Sequence, residues 1–555
     1  MTDPGQADPG PLLWRVSLGN VLVAQVTGIV VLAGARLCGV PFWWALGIGV
    51  VFGALLLLEL GKRTVADWIA TRRRFRGRRE HLAADIVDFQ AGDGRSLGLY
   101  RDGSRVVAVV EVLPPRGGLT RLNATTDADG DRRPTVVSSH LLPLPELAKA
   151  LSQRDILLAG IDIVSHGYRS RSGTPAGAIY DSLLGPLPAT AHRTVWLAIA
   201  FDPLLCPDAA DRRGGGADGS CRAVTIATQR IVRTLEDHDC PARILTAPEI
   251  RQAALQVTAG VDPGELTQHW RYTELGNSVN IGAAVDPGQL GSDLLSQLWV
   301  PASRGTTVAV RLRPGHSADT VRIGAAWRLT ARELPEEPVQ KHMISMNGRH
   351  REGLLAHLPF AVPGLEDTVP TAEHAIADIE ALHLPSAGCG QLLGSDEEGR
   401  GVAIRLVGQG ISSVYVAGEL YLAQQLIFRA LAVGERILIR TDRPQSWQTL
   451  ITTIGNPDRL TIAAESHQSD TDFTASVVDG VLAPAPHAGL TTIYLAGDPL
   501  GWPPTRPDLS IHQPAAQGNR ITLRTGTTQV PLTLVSIPRE ATYIGHPRAA
   551  LGLTN

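Results

Sequence analysis

The sequence predicts a two-helix transmembrane hairpin followed by cytosolic α/β domains, with the second α/β unit Rossmann-like or degenerate P-loop-like but without nucleotide motifs. Three observations carry the prediction. Two uncharged apolar stretches lie at 16–35 and 37–58, a dense Lys/Arg run follows them, and β-rich runs alternate with helical spacing in the long remainder. The implied organisation is a tail at 1–15, the hairpin at 16–60, a basic juxtamembrane segment at 61–83, a first α/β domain at 84–330, a linker at 331–385 and a second α/β domain at 386–555.

Each apolar stretch matches the ~20 residues a helix needs to cross a ~30 Å hydrocarbon core. Only Arg36 and a Gly-Val-Pro turn ending at Pro41 separate them. A secretory signal peptide has a single apolar run of ~7–15 residues and a small-residue cleavage site, so two full spans do not fit one. Lys and Arg are retained on the cytoplasmic side of a membrane. Lys62, Arg63, Arg72, Arg73, Arg74, Arg76, Arg78 and Arg79 follow the second stretch, against Arg36 alone in the turn. A multi-pass protein with both termini and the soluble domains in the cytoplasm is therefore expected.

Ser17, Asn20, Gln25 and Thr27 place polar groups in the first stretch, where another helix suits them better than lipid. That helix belongs either to partner subunits or to the hairpin itself. Gly47, Gly49 and Gly53 in the second stretch permit close approach, and Trp43 and Trp44 stand where an interfacial aromatic belt is expected.

The segment from Lys62 to Arg79 holds eight positive charges and one negative, Asp67, in a chain of net charge −3, so the rest carries about −10. A basic collar on an acidic body points to anionic lipid headgroups, with Arg72, Arg73 and Arg74 as candidate contacts. It argues against nucleic-acid binding by the soluble part. Five cysteines without a CxxC pair make no disulfide framework and suit a reducing cytoplasm.

In the first soluble domain, residues 97–112 read as two strands around an Asp102-Gly103 turn. A polar, Gly-rich loop is expected at 114–134, a helix at 145–153, and strands at 156–164 and 194–201. A helix at 223–237, a strand at 242–245 and a helix opening at Ala247-Pro248-Glu249 follow, and strands at 306–312 and 321–329 close the layer. Residues 331–385 show few sustained apolar periods and read as a connection. The second unit has strands at 402–407, 413–417, 436–440, 460–464, 474–478 and 491–496. Its helices fall at 419–432 and 447–454, and hairpins at 521–537. The order from 413 to 440 is a βαβ unit, parallel and right-handed.

A phosphate would sit at the start of the helix that follows the strand 413–417. The chain there reads Ala417-Gly418-Glu419, with no lysine to reach a phosphate and a carboxylate that repels one. HExxH is absent, and Gly388-x-Gly390-x-x-x-Gly394 has the wrong spacing for a dinucleotide fingerprint. Asp127-Ala-Asp-Gly-Asp131 resembles a DxD or calcium loop, but Arg132 takes the position where a calcium loop needs Gly, and a solvated acidic turn is expected. His342, His350 and His357 lack the spacing of a zinc site and read as exposed. Asp498 reads as a turn residue. No catalytic, cofactor-binding or metal-ligating residue emerges, and no cofactor is expected. The loop 202–216 is the most unusual, because three glycines free its backbone and Arg212 and Arg213 could grip an anion.

These features together resemble the E component (EccE) of the type VII, or ESX, secretion membrane complex of mycobacteria and relatives. The resemblance is carried by the two early spans, Asp102-Gly103 before the run 106–112, Asp202-Pro203 with Cys206, Arg213-Gly-Gly-Gly216, the helix ending at His238 and Ala242-Arg-Ile-Leu-Thr-Ala-Pro-Glu249. In the second half it is carried by Leu393-Gly-Ser-Asp396, Leu422-Ala-Gln-Gln425, Arg429-Ala-Leu-Ala432 and Thr441-Asp-Arg-Pro-Gln-Ser-Trp447. It implies a non-enzymatic, structural or regulatory subunit of an inner-membrane assembly built with the B, C and D components, the C component being the ATPase. It also implies a cytosolic fold likened to glycosyltransferases, with no established catalytic residues. The competing expectation is a membrane-tethered glycosyltransferase-like enzyme using Asp127 and Asp129 with Arg212 and Arg213.

Overall fold

A computed structural model describes residues 18–60, 63–77, 85–92, 94–126, 132–335, 343–365, 368–463, 472–485, 487–526 and 528–546. Helix α1 (Leu18–Leu37) is followed by a short turn and by α2 (Phe42–Leu57). Pro41, at the N-cap of α2 with ψ 144°, delays the second helix from the expected position 37 to Phe42. Among the described residues, Gly19–Leu37 is the one helix long and apolar enough to cross a membrane; α2 is apolar but only 16 residues long. The two helices touch through small residues. A Cβ added to Gly49 would lie 2.6 Å from the Gly28 carbonyl oxygen, and one on Gly53 would lie 3.1 Å from that of Ala24. Early residues of α1 thus meet late residues of α2, so the pair is antiparallel.

Helix α3 (Val65–Gly77) begins directly beyond α2. The first large sheet then carries, side by side, the strands Asp85–Gln90, Ser96–Asp102, Arg105–Val112, His192–Phe201, Gly160–Tyr168, Gly305–Pro314, Thr320–Ala331 and Ser278–Val285, every neighbour antiparallel. Both faces are covered, which explains the unbroken apolar runs. Val106, Ala108 and Val110 share a core with Val224, Ala227 and Ile231 of the helix Gly216–Asp237. Val107 and Val109 share another with Ile250 and Ala254 of the helix Ala247–Val257. The latter helix starts at a capping box in which the Glu249 carboxylate accepts from both the Thr246 backbone N–H and its hydroxyl, each at 2.8 Å.

The second sheet has a parallel half in the order Leu460–Ile462, Ile437–Thr441, Ala475–Asp479, Thr491–Ala496, Ser413–Ala417, Leu509–His512. An antiparallel half continues it with Arg520–Thr525, Thr528–Leu534, Gln391–Ser395, Gly401–Ile404, Leu119–Thr126 and Arg132–Ser138. The strands of the expected βαβ unit are parallel but not neighbours, since two further strands lie between them.

Two expectations about organisation are corrected. The segment 114–134, read as a loop of the first domain, contributes a strand to the second sheet, Thr120 pairing with Ala403. Its polar alternation hid it, with Leu122 one of few apolar contacts. The segment 331–385, read as a linker, contributes two short strands to the first sheet. Met343–Ser345 pairs with Ser278–Val285, and Ala372–Ala375 pairs with Thr320–Ala331.

Candidate functional site

The most densely built polar site joins the apolar helices to the first sheet. Thr64 and Asp67 form a reciprocal cap on α3. The Asp67 backbone N–H donates to Thr64 Oγ1 at 3.2 Å, and Thr64 donates to Asp67 Oδ2 through its backbone N–H at 3.2 Å and its hydroxyl at 2.8 Å. Asn20 of α1 reaches into this cap, its Nδ2 donating to Thr64 Oγ1 at 3.0 Å and to both Asp67 oxygens at 3.1 Å. The expected polar contact of Asn20 is therefore made inside the chain. Gln25, by contrast, is exposed on α1.

One face of α3 is held by the soluble part. Trp270 packs on Trp68 with centroids 5.9 Å apart and on Phe75 edge-on at 5.5 Å, and the Arg72 guanidinium lies 6.0 Å from its ring. Arg349, buried, donates from Nε to Thr71 Oγ1 at 3.1 Å. Arg63 stacks on Trp68 and donates to the Asn347 carbonyl at 3.2 Å. Burial lowers its guanidinium to about 10, and the neighbouring Arg349 acts in the same direction. Gly348 makes the close approach possible. Its φ is +75°, and a Cβ there would lie 2.7 Å from both Thr71 Cγ2 and Trp270 Cζ3.

Thus Arg72 leans on Trp270, while all three of Arg72, Arg73 and Arg74 are exposed. Trp270, Gly348 and Arg349 were missed in the sequence. The Asn347-Gly348 dipeptide was the available signal, since it marks a turn rather than an extended connection.

The loop at 202–216 does not present an anion grip. Arg213 donates to both Asp155 oxygens at 2.9 and 3.2 Å, and Arg212 lies 3.6 Å from the same carboxylate. Those guanidiniums hold the Asp155 carboxyl below the usual range. Cys206 and Cys221 are both free thiols. Asp127 and Asp129 lie outside the described residues.

At the start of the helix Leu420–Ala432, the place a phosphate would take is filled from within. The fully buried Gln513 accepts from the Glu419 N–H at 2.9 Å and donates to Glu419 Oε1 at 2.9 Å and to the Gly518 carbonyl at 2.8 Å. Asp498 caps its own turn, accepting from the Leu500 N–H at 2.7 Å. His350 and His357 are buried, not exposed, and His342 lies outside the described residues.

Comparison with known proteins bears on what this arrangement serves. Residues 189–284 match the family model described as type VII ESX secretion system translocon, EccE. The chain is similar to the ESX-5 secretion system protein EccE5 of Mycobacterium marinum, at 25% identity over 62% of this chain and 85% of the relative. EccE5 of Mycobacterium tuberculosis is 27% identical over 58% of this chain and 80% of its own length. The similarity to the ESX-2 secretion system protein EccE2 of Mycobacterium tuberculosis, 24% identical, runs over 86% of this chain and 87% of that protein. The matched region takes in the strand His192–Phe201, the loop with Arg212 and Arg213, and the helices Gly216–Asp237 and Ala247–Val257. The family-model match and these relatives together support an EccE family member.

Proposed function

We propose that this chain is a structural or regulatory subunit of a type VII (ESX) secretion complex in the inner membrane, contributing to assembly and stability of the translocation machinery. The observation that carries the reading is the similarity to ESX secretion system proteins, which in one relative extends over 86% of the chain. In this reading α1 and α2 span the bilayer as a hairpin with both termini and the soluble units in the cytoplasm. The 20 residues of α1 give about 30 Å of helix. The shorter α2 is accommodated by local thinning, with Trp43 and Trp44 as interfacial anchors. Partners are the B, C and D components, and anionic lipid headgroups meet the basic collar.

The second unit acts as a scaffold of degenerate P-loop-like type. In a doubly wound Rossmann sheet the first strand neighbours the second; here Ser413–Ala417 lies between the last two parallel strands. The filled position beside Glu419 supports a non-enzymatic role. The test is mild-detergent extraction of the C-terminally tagged protein from its own membranes, native-gel sizing and mass spectrometry. A large species containing an ATPase and multi-span subunits is expected. A lone monomer or homodimer overturns the reading.

A further inference from the structure

The two faces of α3 have different fates. Trp68, Thr71, Arg72 and Phe75 share one helical face, Thr71 and Arg72 each standing three or four residues from Trp68 and from Phe75, and make the contacts to Trp270 and Arg349. Ile69, Ala70, Arg73 and Arg74 lie on the opposite side and are all exposed, Ile69 at 43%. Among the described residues Arg73 and Arg74 make no ion pair. Asp67, Ala70 and Arg74 form one stripe, and Asp67 at its start is bonded to Asn20, a turn inside the end of α1. The stripe therefore runs outward from the side of α3 that meets the apolar helices. The Trp68 indole N–H donates to the Leu60 carbonyl at 3.0 Å, and the Val65 N–H donates to Leu58 at 3.0 Å, so α3 turns away immediately where α2 ends.

We propose that α3 is an in-plane helix on the cytoplasmic bilayer surface. Ile69 enters the boundary between headgroups and acyl chains, Arg73 and Arg74 bind anionic lipid phosphates, and the opposite face carries the first sheet. This rests on the reading of α1 as a membrane span. An apolar residue beside arginines, on the free side of a short helix next to a span, is the chemistry of an interfacial helix. Each arginine near an anionic surface favours it independently of any protein partner. Arg72, exposed like Arg73 and Arg74, stands on the protein side, its guanidinium 6.0 Å from the Trp270 ring.

The full chain, with Cys38→Ser and Cys206→Ser, is placed in nanodiscs of phosphatidylcholine with or without phosphatidylglycerol, with brominated acyl chains as quenchers. A fluorophore is attached in turn at Ile29→Cys, Ile69→Cys and Leu204→Cys. We expect quenching at 29 in both discs, at 204 in neither, and at 69 only with phosphatidylglycerol. Arg73→Ala with Arg74→Ala lowers the ratio of inserted to free helix by about thirty-fold, two charges at about 1 kcal/mol each. Quenching at 29 but not at 69 overturns the proposal and leaves the anchor standing, whereas no quenching at 29 overturns both. Quenching at 69 that is equal in neutral discs, or survives the double substitution, overturns the role of the arginines.

Discussion

His350 and His357, seven residues apart, occupy the same region of the first unit as opposite tautomers. His350 accepts the Gly282 N–H at Nδ1, 3.1 Å away, so its proton is on Nε2. His357 Nδ1 faces the Gly353 carbonyl at 2.5 Å and must carry its proton. Burial lowers both to about 3, from an ordinary value of 6.5. The unfolded chain therefore binds more protons than the folded one between these values. Stability is fully present above pH 6.5 and declines as pH falls toward 3, by at most about 1.4 kcal/mol per pH unit for each histidine. We expect the melting temperature of the full chain in detergent to fall between pH 6.5 and 5. His357→Asn, which keeps a donor near the Nδ1 position, should make that fall shallower. An unchanged slope in the variant would show that His357 is not held neutral. The sequence could not reveal this burial, because the residues covering His350 and His357 come from strands dozens of positions earlier.

At the scale of elements, legibility followed periodicity. The helix Leu420–Ala432 and the strand Ser413–Ala417 were evident from spacing, and the helix Ala247–Val257 from its opening Ala247-Pro248-Glu249. The strand Leu119–Thr126 was not, because a strand near the end of a sheet with a polar face has the composition of a loop. Nor was the hold on α3, whose contacts at Trp270 and Arg349 lie some 200 to 280 residues downstream. The C-terminal helix Pro538–Ile544 is a further case, since its anchor is a buried ion pair rather than an apolar stripe. Arg429 and Glu540 are each 1% exposed. The guanidinium donates to the two carboxylate oxygens at 2.9 Å and to the Leu392 carbonyl at 2.8 Å. Removing one partner of such a pair leaves the other charge buried and costs about 3–5 kcal/mol, whereas replacing both by apolar groups of like volume is close to neutral. Glu540→Ala should therefore strip hydrogen-exchange protection from residues 538–544 and lower the urea midpoint. Arg429→Met with Glu540→Leu should recover most of it. Equal losses in both variants would mean that packing, not charge, anchors the helix.

For the whole molecule, the boundary expected near 385 divides the chain but not its cores. Leu122, Ala176, Tyr180 and Leu184 all belong to the core of the second sheet, beside Leu422, Leu426 and Phe428. The Leu392 N–H donates to the Tyr180 hydroxyl at 2.7 Å, and the Arg171 N–H donates to the Ala432 carbonyl at 2.7 Å. Gly434 completes the junction, since a Cβ there would lie 2.6 Å from the Tyr168 hydroxyl. Burying large apolar side chains such as Leu122, Tyr180 and Leu184 contributes about 1.5–3 kcal/mol each. Their sum is comparable to the whole stability of a domain, about 5–15 kcal/mol. A fragment of residues 386–555 lacks all three and also turns Gly401–Ile404 into an edge strand, with the side that meets Leu119–Thr126 unpaired, an invitation to association. It should elute as aggregate in size-exclusion chromatography and melt without a cooperative transition, while a fragment of residues 112–555 should retain the second core. A monodisperse, cooperatively unfolding 386–555 fragment would make the shared core incidental. The expected failure would instead mean that the two sheets fold as one body, so that a load applied at α3 through Trp270 and Gly348 reaches the second sheet without a hinge.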